Sequence, residues 1–238
     1  MRALTAHLRL ELALIARNGE SVLLTIGIPV LLLLFFGNVD VLPIDGDLIA
    51  FLAPGVIALA VLSTSLVNLA ISTAFEREYG VLKRLGATPL GRPRLLAAKT
   101  LAVLAVEGVQ ITVLWLLALT QGWHPSPGAG FVVAVVLGTV ACAGLGLCLA
   151  GSLKALVTLA AANGLYLVLL LLSGMVIPLS KLPGPVRGVA RALPSGALAE
   201  AVRGSLSHGG SVAGRTWLVL ALWAAGSPIL ATRLFRWE

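Results

Sequence analysis

Few residues in this chain have the types and spacing that catalysis or ligand binding requires. Residues 86–93 have the glycine spacing of a phosphate-binding loop, but the run lacks the closing pair of Lys and Ser/Thr. His7, His124 and His208 have no acidic or thiol partner at metal-ligand spacing, and no serine lies in a nucleophile elbow. The sequence therefore predicts no catalytic, cofactor-binding or metal-binding residue in this chain, and no enzyme activity.

One acidic residue lies deep inside an apolar stretch. Glu107 is followed one helical turn later by Gln110, and an ionisable group in hydrocarbon should face protein or water. Two interpretations stay open: Glu107 contacts a cationic substrate or relays protons, or it is neutral and hydrogen-bonded between helices. Asn68 and Asn163 are interpreted as polar contacts between helices. These four residues form a candidate intramembrane polar path.

The composition is that of a membrane protein. Of 238 residues, 58% are hydrophobic and only 11% are charged, whereas a soluble domain of this length needs a larger polar surface. The net charge of +7 lies in loops beside apolar segments, as at the cytoplasmic face of a membrane protein, and does not resemble a nucleic-acid-binding footprint. Cys142 and Cys148 share one apolar segment, which indicates packing rather than a disulfide.

The predicted fold class is an all-α integral membrane protein that forms one domain over residues 1–238. Six apolar stretches are expected to cross the membrane as helices. They cover residues 21–36, 48–72, 95–120, 129–153, 155–178 and 213–234. Most of the 17 lysines and arginines lie inside when the N-terminus is placed inside, so both termini are predicted to be cytoplasmic, at the plasma or inner membrane.

The segment before the first span has an apolar face. Leu4, Leu8, Leu12 and Ile15 recur at helical spacing, which predicts an interfacial amphipathic helix over residues 1–18. The alternative is a charged N-terminal tail without such a helix.

The fourth span carries small residues at every fourth position. Ala134, Gly138, Cys142, Gly146 and Ala150 form a stripe that permits close approach of another helix. This pattern favours packing within the chain, and a dimer seam is the alternative.

The last outer loop, residues 179–212, is too polar to cross the membrane. Its pattern predicts two short re-entrant helices with a break at residues 194–196, and Arg187 and Arg191 are expected to reach toward lipid headgroups. An outer gate or lipid contact is one interpretation of this loop, and a surface cap on the bundle is the other.

The segment at residues 73–94 is the only strongly charged one between spans. Phe75, Leu82 and Leu85 share a helical face, which predicts a short amphipathic helix parallel to the membrane that ends near Gly86. An ordinary cytoplasmic loop needs arginines but not the glutamates interleaved here. The polar residues of this segment are Glu76, Arg77, Glu78, Lys83 and Arg84.

This segment resembles the signature of type-2 ABC exporter permeases, a family that includes drug-resistance, lipid and polysaccharide-export permeases. The outer loop, with Pro178, Pro183 and Pro194, is similar to that family's re-entrant loop. The residues that carry the first resemblance are Phe75, Glu76, Arg77, Glu78, Tyr79, Gly80, Val81, Leu82, Lys83, Arg84 and Leu85, then Ala87, Thr88, Pro89 and Leu90, and Lys99.

The resemblance implies an ATP-driven exporter of a hydrophobic or amphipathic substrate such as a drug, lipid or glycolipid. Two permease subunits, identical or different, would join two separate ATP-binding subunits that bind ATP and magnesium. The helix at residues 75–85 would dock in a groove of the ATPase together with the N-terminal helix. The alternative from another class is a proton-coupled secondary transporter that uses Glu107.

The predicted topology is testable by cysteine labelling with a membrane-impermeant maleimide, in a chain whose two native cysteines are replaced by alanine. Asp40→Cys and Ser126→Cys should label from outside in intact cells, because the 37–47 and 121–128 loops carry no Lys or Arg. Lys83→Cys should label only after permeabilisation. The opposite pattern would overturn the orientation.

Overall fold

The computed structural model describes residues 11–13, 19–39, 47–86 and 91–235. All regular structure in these ranges is helical, as backbone that crosses lipid requires. The α-helices are α1 (Gly19–Asn38), α2 (Leu48–Leu62), α3 (Leu69–Glu78), α4 (Val81–Gly86), α5 (Arg92–Thr120), α6 (Ala129–Ser152), α7 (Ala155–Leu172), α8 (Gly184–Ala192), α9 (Pro194–Leu206) and α10 (Gly214–Leu234). Apart from residues 11–13, the predicted interfacial helix at 1–18 lies outside the described residues.

Five helical segments of the described chain are long and apolar enough to cross a membrane, which makes this a multi-pass membrane protein. They match the second to sixth predicted spans, and they are Leu48–Glu78, Pro93–Thr120, Ala129–Ser152, Ala155–Leu172 and Gly214–Leu234. The first predicted span corresponds to α1, which has 20 residues, with Pro29 inside the helix. The stretch Thr25–Asn38 is an apolar helix shorter than the other five within the described part of the chain, so the count of six spans stays a prediction.

The second span ends later than the sequence predicts. One helix of 31 residues runs from Leu48 to Glu78, in which the π-helical turn Ser63–Asn68 joins α2 to α3. The prediction of one short helix over residues 75–85 is therefore wrong. The chain breaks at Gly80, whose φ of 72° is a left-handed conformation that glycine adopts without strain, and continues as α4.

Helix α6 is the centre of the bundle. It packs against α10, α9 and α3, and all five residues of its small-residue stripe are buried. A Cβ atom at Gly146 would lie 2.6 Å from the backbone oxygen of Leu66, and one at Gly138 would lie 2.4 Å from the Leu198 side chain. The prediction that the stripe serves packing within the chain is confirmed, and this face is covered by the chain's own helices.

The outer loop holds the two expected short helices, α8 and α9, but α9 begins at Pro194 rather than at residue 197. Most residues of α9 are buried against α2, α6 and α10, so this helix is packed into the bundle. Gly196 permits α9 to approach α8 closely, since a Cβ there would lie 2.0 Å from the backbone oxygen of Ala190. Trp223 of α10 donates a 2.9 Å hydrogen bond to Ala192 O at the end of α8. The re-entrant placement of both helices in a bilayer stays a prediction.

The close approach of α6 to the π-helical turn predicts that Gly146→Ala destabilises the bundle. The added methyl group would press on the Leu66 backbone, and overpacking of this kind typically lowers stability by ~1–3 kcal/mol. The measurement is the melting temperature of the detergent-solubilised chain. Gly164→Ala on α7 is the matched control, because nothing lies within 4 Å of its Cβ position, and equal stability of the two variants would contradict the packing argument.

Candidate functional site

The predicted coupling residues divide into an inward and an outward set. Tyr79 has 73% of its surface exposed, and Glu78 and Lys83 are exposed beside it. Leu82 is fully buried in the core. Arg84 and Leu85 lie on α4, but their side chains are outside the described part of the chain. The break at Gly80 thus presents a turn whose outward surface is both charged and aromatic.

Glu76 points into the protein and meets Lys99 of α5. The Lys99 ammonium lies 2.7 Å from Glu76 Oε2, 2.9 Å from Glu76 Oε1 and 2.8 Å from Glu11 Oε1. The Lys99 side chain has only 1% of its surface exposed. This ion triad joins the segment at residue 11, the end of α3 and the start of α5.

Sequence analysis did not identify the triad as a site. Lys99 entered only through the family resemblance, and Glu11 was not a candidate. The partners lie on separate segments, so no spacing along the chain indicates their pairing.

Arg77 and Phe75 attach the end of α3 to the loop between α6 and α7. The Arg77 guanidinium donates a hydrogen bond to Leu153 O, just past the end of α6. Phe75 stacks on Tyr79 with ring centroids 6.1 Å apart, and it packs on a small cluster that contains Ala150 and Ala155. Neighbouring residues of α3 are therefore held by different helices.

A groove of about 690 Å³ lies between the turn at Gly80 and the first turn of α7. Arg77, Lys83 and Lys154 contribute three positive charges to its wall, and Glu78 contributes one negative charge. Exposed apolar side chains of α7 complete one side. The lining residues are Ala74, Arg77, Glu78, Gly80, Lys83, Lys154, Ala155, Leu156 and Val157. Such a surface suits a protein partner that offers acidic and apolar side chains.

Glu107 is fully buried in the membrane-spanning part of α5. Its Oε2 contacts the hydroxyl of Thr139 on α6, and that hydroxyl also lies 2.8 Å from Val135 O. A hydroxyl has one proton, and a carbonyl oxygen only accepts. Thr139 satisfies both contacts when it donates to Val135 O and accepts from a protonated Glu107. The geometry therefore favours the neutral form, hydrogen-bonded between helices.

Gln110 and Asn68 form a second polar contact, between α1, the π-helical turn and α5. Gln110 donates to Thr25 O at 2.6 Å and accepts from the Thr64 hydroxyl at 3.2 Å. Asn68 donates to the Thr25 hydroxyl at 2.6 Å. Both residues thus face other helices, and for Asn68 this is the interhelical contact that the sequence predicts.

Asn163 does not belong to this polar path. Its side chain is exposed on α7 and donates to Leu159 O of the same helix at 2.8 Å. The prediction that it joins two helices is wrong within this chain, because an exposed asparagine in a helix satisfies its amide on the preceding turn.

The arginines of the outer loop have different surroundings. Arg187 donates to Leu182 O at 2.9 Å, a backbone group of its own loop, and its expected contact with lipid headgroups stays a prediction. Arg191 stays exposed in the last turn of α8. Pro178 precedes the short 3-10 turn Leu179–Lys181, and Pro183 precedes α8.

Arg203 of α9 is an outer contact that sequence analysis missed. Its guanidinium lies 4.1 Å from the centre of the Phe51 ring and donates to Gly174 O at 3.2 Å. Burial lowers the pKa of Arg203 to about 10, although nearby Glu200 opposes this shift. The contact attaches α9 to α2, and no local pattern marks it because the two residues are far apart in sequence.

No group of three or more His, Cys, Asp or Glu residues able to hold a metal ion occurs within the described ranges.

The family model described as ABC-2 type transporter matches residues 2–206, which is most of the chain. The chain belongs to the ABC-2 type transporter family and is the permease component of an ABC transporter. The family match therefore confirms the resemblance stated from the sequence. A search of curated proteins returned no match.

The proton count at Glu107 predicts that Glu107→Gln preserves the bundle. The glutamine amide donates to Thr139 as the carboxyl does, whereas Glu107→Ala loses this interhelical bond, which is worth roughly 1 kcal/mol in membranes. Melting temperatures of the three proteins compare their stabilities. Infrared spectra should contain a protonated carboxyl band that Glu107→Gln removes. A carboxylate signal at this position, or proton-dependent transport lost in Glu107→Gln, would instead favour the secondary transporter.

Proposed function

We propose that this chain is the permease subunit of an ATP-driven exporter, and that a separate ABC ATP-binding subunit docks at the turn at Gly80. The observation that carries the proposal is the groove beside this turn, whose charged wall adjoins the exposed Tyr79 and Lys83. Membership of the ABC-2 type transporter family supports the division of labour. ATP and magnesium would be bound by the partner.

The attachment of the turn supports its use as a docking element. A partner can transmit its motion to the permease only through a rigid surface. The helix α3 beside the turn is held rigid by Lys99 on one side and by Leu153 O on the other. The same helix continues through the π-helical turn into α2. A displacement at Tyr79 would therefore act on a spanning helix without an intervening loop.

The translocated substrate would be hydrophobic or amphipathic, such as a drug, a lipid or a glycolipid. Large apolar side chains stay exposed on α7 and α10, among them Leu167, Leu171 and Leu222. An apolar groove of about 470 Å³, lined in part by Trp223 and Leu230, lies against α6 and α10. Surfaces of this kind suit lipid, a second permease subunit, or a substrate that moves between the two subunits.

Docking is tested by co-expression of the permease with the ATP-binding subunit of its transporter, followed by affinity purification of the permease. Tyr79→Ala and Lys83→Glu should each lower the recovered ATP-binding subunit about tenfold or more, which corresponds to ~1.4 kcal/mol of binding free energy. Both substitutions change exposed side chains at the turn, so membrane insertion should stay unchanged, and the melting temperature measures the stability lost with the Phe75–Tyr79 stack in Tyr79→Ala.

The matched control for this experiment is Arg215→Glu. Arg215 is exposed in the first turn of α10, and the predicted topology places it on the outer side. This variant should recover the ATP-binding subunit in the same amount as the unmodified chain. Normal recovery in both turn variants would show that docking occurs elsewhere.

A further inference from the structure

We infer that Lys99 is the positioning residue that makes α5 move together with the turn at Gly80. Its ion pairs to Glu76 and Glu11 join α3, the segment at residue 11 and the cytoplasmic end of α5 into one body. This body moves relative to α2 about the π-helical turn Ser63–Asn68. The inference rests on the proposed function, because it assigns the residue through which the partner's motion reaches a second spanning helix.

Lys99 has a carboxylate oxygen for each of its N–H donors. An ammonium group has three N–H donors, and its nitrogen lies within 2.9 Å of three carboxylate oxygens, two of Glu76 and one of Glu11. The side chain is almost completely buried, so water does not replace a lost partner at low cost. Neither acidic segment can move away from α5 without breaking a charged hydrogen bond to a buried ammonium group.

The triad contains one more carboxylate than ammonium groups. Two carboxylates surround one ammonium, so loss of the Glu76 charge still leaves Lys99 paired with Glu11. The cluster therefore tolerates Glu76→Gln better than a simple ion pair would. A triad kept only for stability would need one carboxylate, whereas the second one links another segment to the same lysine.

The buried face of α5 connects Lys99 to the polar contacts in the middle of the bundle. Lys99, Val103, Glu107 and Gln110 are all buried and lie three or four residues apart, which places them on one helical face. Lys99 and Gln110 are roughly 16 Å apart along the helix axis. A shift of α5 at Lys99 is therefore transmitted to the contacts of Glu107 with Thr139 and of Gln110 with Thr64.

The π-helical turn Ser63–Asn68 is the place where α3, together with α5, bends relative to α2. On the outer side, α2 is held by Gly55, where a Cβ atom would lie 2.2 Å from Met175 O. On the cytoplasmic side, α3 is held by Lys99. The π-helical turn lies between these two fixed parts of one helix. Such turns are uncommon and weaken the regular hydrogen-bond ladder, so bending is expected there.

The test measures spin-label distances by pulsed EPR, in a chain whose native cysteines are replaced by alanine. The label pair Ser72→Cys and Ala97→Cys reports on α3 against α5, since both positions are exposed. In the isolated permease the distance distribution should be narrow, and Glu76→Gln should broaden it at least twofold with little change in melting temperature. Glu78→Gln, two residues further along α3 and exposed, is the matched control and should leave the distribution unchanged.

The second part of the test uses the complex with the ATP-binding subunit, trapped with ATP or free of nucleotide. The Ser72–Ala97 distance should be the same in both states of the unmodified complex, and should change with nucleotide in Glu76→Gln. A pair across the π-helical turn, Ala50→Cys and Ser72→Cys, should shift on trapping. Glu11→Gln should leave the Ser72–Ala97 distance narrow, because Glu76 still holds Lys99.

The outcomes separate the two proposals. Absence of the ATP-binding subunit from the purified permease contradicts the proposed function, while the measurement on the isolated chain still tests Lys99. A narrow Ser72–Ala97 distribution in Glu76→Gln, equal to that of Glu78→Gln, overturns the role of Lys99 even when the complex forms. A fixed Ala50–Ser72 distance in a complex that hydrolyses ATP overturns the bend at residues 63–68.

Discussion

The burial of one ammonium group determines how the end of this permease around the turn at Gly80 is built. Removing a lysine from water costs several kcal/mol, and the loss is recovered only when its donors find acceptors with good geometry. Lys99 finds them on two segments that are distant in sequence, around Glu11 and Glu76. The position of each segment is consequently fixed relative to α5. The exposed turn at Tyr79 and the adjoining groove owe their geometry to this arrangement.

Within the apolar bundle, the corresponding constraint is close backbone approach around α6. Lipid provides no hydrophobic drive for helices to associate, so dispersion contact and buried hydrogen bonds hold them together. Gly138 admits Leu198 of α9, Gly146 admits the π-helical turn, and Gly144 admits the backbone of α10 at Pro228. Three neighbours thus meet one helix through residues without side chains. The Ser227 hydroxyl, 2.8 Å from Ala141 O, adds a polar contact to the last of these interfaces.

The features that sequence analysis predicted correctly are those that depend on local composition. Apolar length predicted six spans, of which five match helices long enough to cross a membrane, and the four-residue spacing on α6 predicted its packing face, because each property is expressed within one segment. The end of the second span was missed for the opposite reason. Charges at Glu76 and Arg77 indicate a helix leaving the membrane, but their partners on α5 and beside α6 let the helix continue to Glu78. Asn163 was misassigned because a polar residue in an apolar run does not reveal which neighbour it faces.

The helix formed by α2, the π-helical turn and α3 is held by contacts with other segments at both of its ends. At the end of α2 near Phe51, Arg203 binds Gly174 O and lies over the Phe51 ring, which attaches α9 to α2. At the opposite end, Glu76 of α3 forms an ion pair with Lys99. A helix fixed by close contacts at both ends deforms where its own hydrogen bonding is weakest, and the π-helical turn Ser63–Asn68 is that place. Thr64 and Asn68 of this turn form the polar contacts to α5 and α1. A bend at the turn would therefore also change these contacts in the middle of the helix bundle.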